Sequence, residues 1–375
     1  MRTKRSRVFT ALGLVLILLV AVGPTPTPAQ PKGTAAGEMS KEVLDPRYPS
    51  EAAACTAIPK ANATGPSFTW SWAHDVVVGP ESPWDQIWAH QWKKSVEEAT
   101  NKRLKINLLM GQMKAAETIY SVGRNEVQGG LTYSPYYGDL VISNWITLPF
   151  FMKSGKEVLH GLKAAEKWMH EEIEGRANVK WLYAGGYTRQ VFWSKKAITK
   201  LRDFKGLKIR SWGAAGVRMI QAFEATPVAI PWAEAYPAAQ RGVVDVVTAG
   251  LGGGFTSKMH EVVPVVNDWY FGEGAIVFIA NKDAFNQLPA DLKATVLGVR
   301  DCLGAGFSRR VLENERWTLE QLPKEGGSVY KPEPGESEKA AAVARPVWDW
   351  WLGVAGPKGH EVLKAIEAAV KPLRK

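Results

Sequence analysis

Asp203 to Gly250 reads DFKGLKIRSWGAAGVRMIQAFEATPVAIPWAEAYPAAQRGVVDVVTAG, and its punctuation decides the fold. After Gly206, Leu207 and Ile209 alternate with Lys208, the period of a half-buried strand ending near Arg210. Val217, Ile220 and Phe223 or Glu224 follow at three- and four-residue steps, which predicts a helix. PVAIPW, bounded by Pro227 and Pro231, reads as a short strand. AEAYPAAQRG predicts a second helix stopped at Gly242, and Val243–Val247 a third strand. Strand, helix, strand, helix, strand at this spacing means parallel α/β structure.

Open α/β sheets bind ligands beyond the carboxyl ends of their strands. Arg210, Trp212, Trp232 and Thr248 all stand at such ends. A guanidinium there is a planar, permanently charged fork suited to a carboxylate. Taken alone, Arg210 is better read as a surface arginine capping its strand.

The wider pattern changes that reading. Phe204 to Arg210 (FKGLKIR), Pro231-Trp232-Ala233-Glu234-Ala235-Tyr236 and Gly242 to Asp245 occur in order, and together resemble the DctP-type solute receptors of TRAP (tripartite ATP-independent periplasmic) transporters. FTWSWAHDVVVGPESPWDQIW through LKINLLMGQ resembles the opening β-α-β of that family, and Leu148-Pro149-Phe150-Phe151 its LPF segment. GGYTRQVFWSKKAI resembles the family's G-[FY]-R-x-[FL]-x-[NS] segment with Thr188 inserted, which makes Arg189 the matching arginine. The resemblance implies that Arg210 is the main partner of a ligand carboxylate and that Arg189 supports it. It also implies ligand contacts from the turn after the first strand, where His74, Ser82 and Trp84 are available, and from an aromatic at the crossing near Trp269.

Two stretches depart from the family pattern. GGLTYSPYY stands where an aspartate is usual, leaving Tyr133, Ser134 and Tyr137 as replacements. Val246, Val247, Thr248 and Ala249 replace a polar run, which points to a ligand with less hydrogen-bonding capacity than a sugar acid, with an aromatic or branched acid favoured by the abundant tryptophan. Gly250 to Phe255 (GLGGGF) imitates a dinucleotide loop, but its third glycine position falls on Phe255 and no domain opens there.

The 375 residues suffice for two ordinary domains, and 46% hydrophobic with 22% charged residues describes a globular chain. Arg2, Lys4, Arg5 and Arg7 precede an uncharged run from Val8 to Val22, too short for a membrane span, and Thr27-Pro28-Ala29 offers a small-residue cleavage site. Residues 1–30 therefore read as a signal peptide, and the periplasm as the destination. Removing residues 1–29 leaves 43 basic against 37 acidic side chains, a net +6 without a block of like charges, so nucleic acid is not implied. Cys55 and Cys302 either pair after export or leave Cys302 as a small buried apolar residue.

No catalytic constellation stands out. His360-Glu361 is followed by Lys364 rather than a second histidine, and no G-x-S-x-G elbow, phosphate loop or Cys/His metal set is present. Trp84, Trp88, Trp92 and Val96 at four-residue steps predict a helix with an apolar stripe, as do Val158, Leu162, Ala165 and Met169 within 154–174, and Leu288-Pro289-Ala290-Asp291 starts a long helix that Gly304 and Gly306 bend. The fold expected is α/β, a two-lobed periplasmic-binding-protein-like (type II-like) architecture, its lobes joined by crossing strands and that long bridging helix. After a linker at 31–65, residues 66–187 plus 276–316 form one lobe and 188–275 plus 317–375 the other. The function expected is capture of a small organic acid between the lobes for delivery to TRAP membrane subunits, with no cofactor and no metal. The competing expectation is an exported α/β enzyme that acts on a small acid in the same cleft.

Overall fold

The computed structural model describes residues 45–48, 50–75, 89–133, 137–186 and 188–374. The expected signal peptide, the linker up to residue 44, Ser82, Trp84 and Ser134 lie outside the described residues. The described chain opens with α1 (Glu51–Thr56), β1 (Phe68–His74), α2 (Ala89–Ala99) and β2 (Leu104–Met110). Next come α3 (Ala115–Gly123), β3 (Gly129–Tyr133), α4 (Gly155–Arg176), β4 (Val179–Gly186) and β5 (Gln190–Ser194). The stretch quoted above folds as β6 (Lys208–Ser211), α5 (Ala214–Ala222), β7 (Thr226–Ala229), α6 (Trp232–Gln240) and β8 (Val246–Gly250). It is followed by α7 (Leu251–Thr256), β9 (Val265–Asn267), β10 (Ala275–Asn281), α8 (Lys282–Gln287) and α9 (Ala290–Gln321). The chain closes with β11 (Ser328–Tyr330), α10 (Glu336–Ala344) and α11 (Pro346–Val370).

Two sheets organise these elements. The first has the order β2-β1-β3-β10-β4, and the second β11-β9-β5-β8-β6-β7. The expected parallel trio is present: β8, β6 and β7 lie side by side and parallel. Its last strand begins three residues later than Val243, because Val243 N–H still closes the turn after α6 on the Ala238 carbonyl at 2.9 Å. Asp245 then fixes the register by accepting the Lys208 N–H at 2.8 Å. In contrast, β10 runs antiparallel between β3 and β4, and β5 antiparallel between β8 and β9. The chain thus passes between sheets after β4, before β10 and along α9.

Alternation in FTWSWAH buries Trp70 and Trp72 in β1, and the Trp72 ring lies where a side chain at Gly129 would have to be. Trp92 and Val96 of α2 join it, the expected apolar stripe at four-residue steps. A buried ring of this size contributes about 3–5 kcal/mol, judged by truncation to alanine. Gly252, Gly253 and Gly254 of GLGGGF sit in α7, where a Cβ on Gly254 would lie 2.5 Å from the Trp193 indole. They serve close packing.

Two expectations change. Gly304 and Gly306 leave α9 unbroken from Ala290 to Gln321; their role is to admit the segment before β1. A Cβ on Gly298 would lie 2.6 Å from Pro59, one on Gly304 2.9 Å from the Tyr48 hydroxyl, and one on Gly306 against the Glu51 carboxylate. Positions 298, 302 and 306 share one helix face, and Cys302 uses it to form a disulfide with Cys55. Glu51 adds ion pairs to Arg309 (2.8 Å) and Arg310, and Thr295 donates to the Pro59 carbonyl at 2.7 Å. Second, the chain end does not stay with the second sheet. Ala340, Ala344 and Val347 pack with Met219 and Ile220 of α5. From Trp351 onward, across a non-helical Gly356 (φ 63°, ψ −153°), Val362, Ile366 and Val370 pack with Val158, Leu162 and Met169 of α4. The four-residue spacing of those side chains matches the apolar stripe of α4, and Gly356 supplies the turn that side-chain-bearing residues avoid.

The Cys55–Cys302 bond closes a loop with a sequence separation of 247. Cross-links of long loops contribute about 2–5 kcal/mol. Cys55→Ala with Cys302→Ala should lower the thermal midpoint of the purified protein markedly, and reductant should lower the wild type to the same value; calorimetry with and without reductant checks both.

Candidate functional site

The carboxyl ends of β1 and β3, at His74 and Tyr133, share an edge of the first sheet with Gly186 and Ala275, where β4 ends and β10 begins. The matching edge of the second sheet carries the ends of β6 and β8 and the start of β5, at Ser211, Gly250 and Gln190. The chain passes between sheets beside both edges, so they face a common space between the lobes.

Arg210 is 2% exposed and held from several sides. Its Nε donates to the Ile230 carbonyl at 2.9 Å and its Nη1 to the Thr248 carbonyl at 3.0 Å. Its guanidinium carbon lies 5.4 Å from the centre of the Trp232 ring. Thr248 Oγ1 returns a bond to the Arg210 carbonyl at 2.7 Å. Thr248 therefore clamps β6 to β8 and positions the guanidinium, rather than offering its hydroxyl outward. Trp212 and Trp232 are half-buried beside it. The fork is rigid, and cation–π contact with Trp232 adds to its placement.

Arg189 occupies a different setting. Its Nε pairs with Glu315 of α9 at 3.0 Å and its Nη1 with Asp268 at 3.1 Å. Glu315 also accepts the Arg189 N–H at 2.7 Å and the Thr188 hydroxyl at 2.6 Å. The adjoining carboxyls hold the guanidinium well above its ordinary range, against the opposing effect of its burial. The Tyr270 ring lies 5.8 Å away, and its hydroxyl donates to Glu273 at 2.6 Å. Arg189 is thus tied to the crossing and to α9. Burial pushes the Glu273 carboxyl up to about 8, with Glu315 contributing.

The remaining sequence candidates divide. His74 (1% exposed) and Tyr133 (7%) lie at the edge of the first sheet. Tyr137 is consumed internally: its hydroxyl meets Thr132 at 2.6 Å and accepts from Ile119 N–H at 3.1 Å. Trp269 belongs to the core of the second lobe, stacked edge-on against Phe204 at 5.1 Å, with its indole N–H bonded to the Ile198 carbonyl at 2.8 Å. Sequence reasoning passed over Asp75, directly after β1; its Oδ1 is buried without a hydrogen-bond partner, and burial raises its carboxyl to about 7. An acid following an alternating, tryptophan-rich strand was the available signal. Asp268, Glu273 and Glu315 were also missed, since their partners are distant in sequence. Among the described residues there is no group of three or more side chains suited to a metal ion, and no helix long and apolar enough to cross a membrane.

Two α/β sheets joined by repeated chain crossings give a two-lobed fold. Residues 74–352 match the bacterial extracellular solute-binding proteins of family 7, DctP, and the chain belongs to that family. The C4-dicarboxylate-binding periplasmic protein DctP of Rhodobacter capsulatus is 27% identical over 311 residues, covering 78% of this chain and 89% of that protein. A solute-binding protein of Sulfitobacter sp. strain NAS-14.1 is 30% identical over 206 residues, covering 53% of this chain and 60% of that protein's length. Among solved structures, the Bordetella pertussis receptor DctP6 superposes with a TM-score of 0.75 at 21% identity, covering 80% of this chain and 99% of that one. The ectoine-binding protein of the Halomonas elongata TRAP transporter gives a TM-score of 0.74 at 19% identity, covering 81% and 99%. The family is one of extracytoplasmic transport receptors, and its fold is the two-lobed α/β architecture read from the sequence.

The raised Glu273 carboxyl has a consequence for stability. Between its ordinary 4.5 and about 8 the folded chain holds a proton that the unfolded chain has released. Stability therefore falls as pH rises through that window. Glu273→Gln, which keeps an acceptor for Tyr270, should match the wild type near pH 5 and melt at least about 2 °C higher near pH 9. Thermal unfolding at the two pH values checks this; equal midpoints at pH 9 would show that Glu273 is not buried as a neutral acid.

Proposed function

We propose that this protein captures a small organic acid in the space between its lobes and delivers it to TRAP membrane subunits. The observation that carries this reading is the Arg210 fork. It is a buried cation at the end of β6, oriented by the Ile230 and Thr248 carbonyls, at the edge facing the other lobe. A ligand carboxylate there would form a charge-assisted pair out of water, which gives selectivity for acids more than raw affinity. The N-terminus of α5, three residues beyond β6, adds positive potential at the same edge. Trp212 and Trp232 enclose the solute from the second lobe, His74 and Tyr133 from the first, and Thr248 positions Arg210.

Solutes named for the relatives support the same chemistry: pyroglutamic acid for the Bordetella pertussis receptor, succinate for a Shewanella oneidensis receptor and C4-dicarboxylates for the Rhodobacter capsulatus protein. Arg189 serves the hinge. We place lobe I at 66–187 plus 276–316 and lobe II at 188–275 plus the chain beyond 317, with α11 from Trp351 onward reassigned to lobe I on the strength of its packing against α4. Residues 1–30 direct export to the periplasm. Binding proceeds by hinge closure without turnover, and the closed form presents the surface that the membrane subunits read.

A thermal-shift screen against organic acids, with wild type, Arg210→Ala and Arg210→Lys side by side, tests the reading. Ligand raises the melting temperature by linkage. An acid that stabilises the wild type should lose about 2–5 kcal/mol of binding in the alanine variant, and the lysine variant should fall between. Equal shifts in all three proteins would remove Arg210 from the site, and stabilisation by neutral compounds alone would end the organic-acid reading.

A further inference from the structure

Asp75 has a buried carboxylate oxygen with nothing to accept from. It is the first residue beyond β1, at the strand end that the receptor reading above places on the interlobe space. Among the described residues its Oδ1 has no hydrogen-bond partner. Its titration is governed by burial, offset only by its own backbone N–H, and no basic side chain contributes. The ionisable group that registers its field is Tyr137, whose hydroxyl is already bonded within the first lobe. Buried carboxylates ordinarily cap helices or pair with cations, because an unpaired one is costly. Asp75, half-buried with one oxygen enclosed, does neither among the described residues.

The two walls are chemically opposite. The second lobe presents a fixed donor fork at Arg210, and the first presents an acceptor at Asp75. We infer that Asp75 sets the solute class: a small acid whose carboxylate meets Arg210 and which carries an N–H donor at its far end to satisfy Asp75. This rests on the receptor reading given above. When ionised, above about pH 7, the same carboxylate also repels a second acid group, so there it selects against dicarboxylates as well as for N–H donors; specificity of this kind needs both elements. A donor-free acid would leave Asp75 buried and unpaired when the lobes close, which is the arrangement that discriminates most strongly between near-isosteric solutes.

Matched pairs test it. Titration calorimetry on the purified protein would compare succinamate with succinate, and pyroglutamate with its ring-oxygen analogue 5-oxotetrahydrofuran-2-carboxylate. The N–H member of each pair should bind the wild type at least about tenfold more tightly, a difference of about 1.4 kcal/mol. Asp75→Leu should erase the gap. Asp75→Asn, which keeps the volume and an acceptor but removes the charge, should keep the lactam and gain succinate, and this gain cannot arise from misfolding. Wild type that binds both members of each pair equally, or a gap that survives in Asp75→Leu, overturns the assignment. If Arg210→Ala still abolishes binding in that case, the receptor reading stands and only the role of Asp75 fails. If no acid binds the wild type at all, both fail together.

Discussion

The Arg189 ion pairs are the interaction on which the architecture depends. Four connections join the lobes, the last within α11, and this cluster touches the other three: Arg189 follows β4, Asp268 precedes β10, and Glu315 lies on α9. Salt bridges of this burial are poor sources of net stability, since desolvation consumes most of the Coulombic gain. Breaking one partner is a different matter, because it strands a charge. The cluster thus does little to drive folding but strongly disfavours any arrangement in which one crossing moves without the others. Tyr270, at a positive φ of 43°, and the buried Glu273 extend the same junction toward Gly186.

On either side of the junction, stability comes from ordinary apolar packing, and the tryptophans are used chiefly there. Trp72, Trp145, Trp193 and Trp351 are fully buried. Among the described tryptophans, Trp232 stacks on Arg210 and Trp212 lies two residues beyond it. The segment before β1 adds a brace of its own, laid along a face of α9 kept open by Gly298 and Gly306 and fastened at Cys55. Arg210 with its tryptophans and the structural reinforcement therefore occupy different parts of the molecule, and substitutions in one should leave the other intact.

Much of this was legible in the chain. Leu207 to Thr248 announced a parallel β-α-β-α-β unit through period and punctuation alone, and Arg210 stands at the strand end where the alternation put it. The apolar stripe of α4 and the Trp92–Val96 face of α2 were equally readable. What failed to show was everything decided by partners far away in sequence. Arg189 gave no local sign of its ion pairs, because its acids lie 79 and 126 residues off. Trp269 looked like a cleft aromatic, yet the Ile198 carbonyl claims its indole N–H. The two glycines of α9 looked like a bend because no local signal tells a bend from a contact surface. Asp75 was overlooked for the converse reason: what marks it is a missing partner, and absence has no spacing.

The position of β10 has a meaning for how the molecule is made. Within the first sheet it lies between β3 and β4, both of which precede it by many residues, and every strand of the second sheet except β11 is encoded in between. A chain emerging from its amino end therefore holds β1, β2, β3 and β4 without the strand that joins them, while the β6–β7–β8 trio is already complete. Lobe II can begin to assemble first; lobe I waits for residue 281, and its covalent fastening waits longer still, for Cys302. The older half of the chain is the younger half of the fold, and in the interval its unpaired strand edges are the part most in need of protection from aggregation.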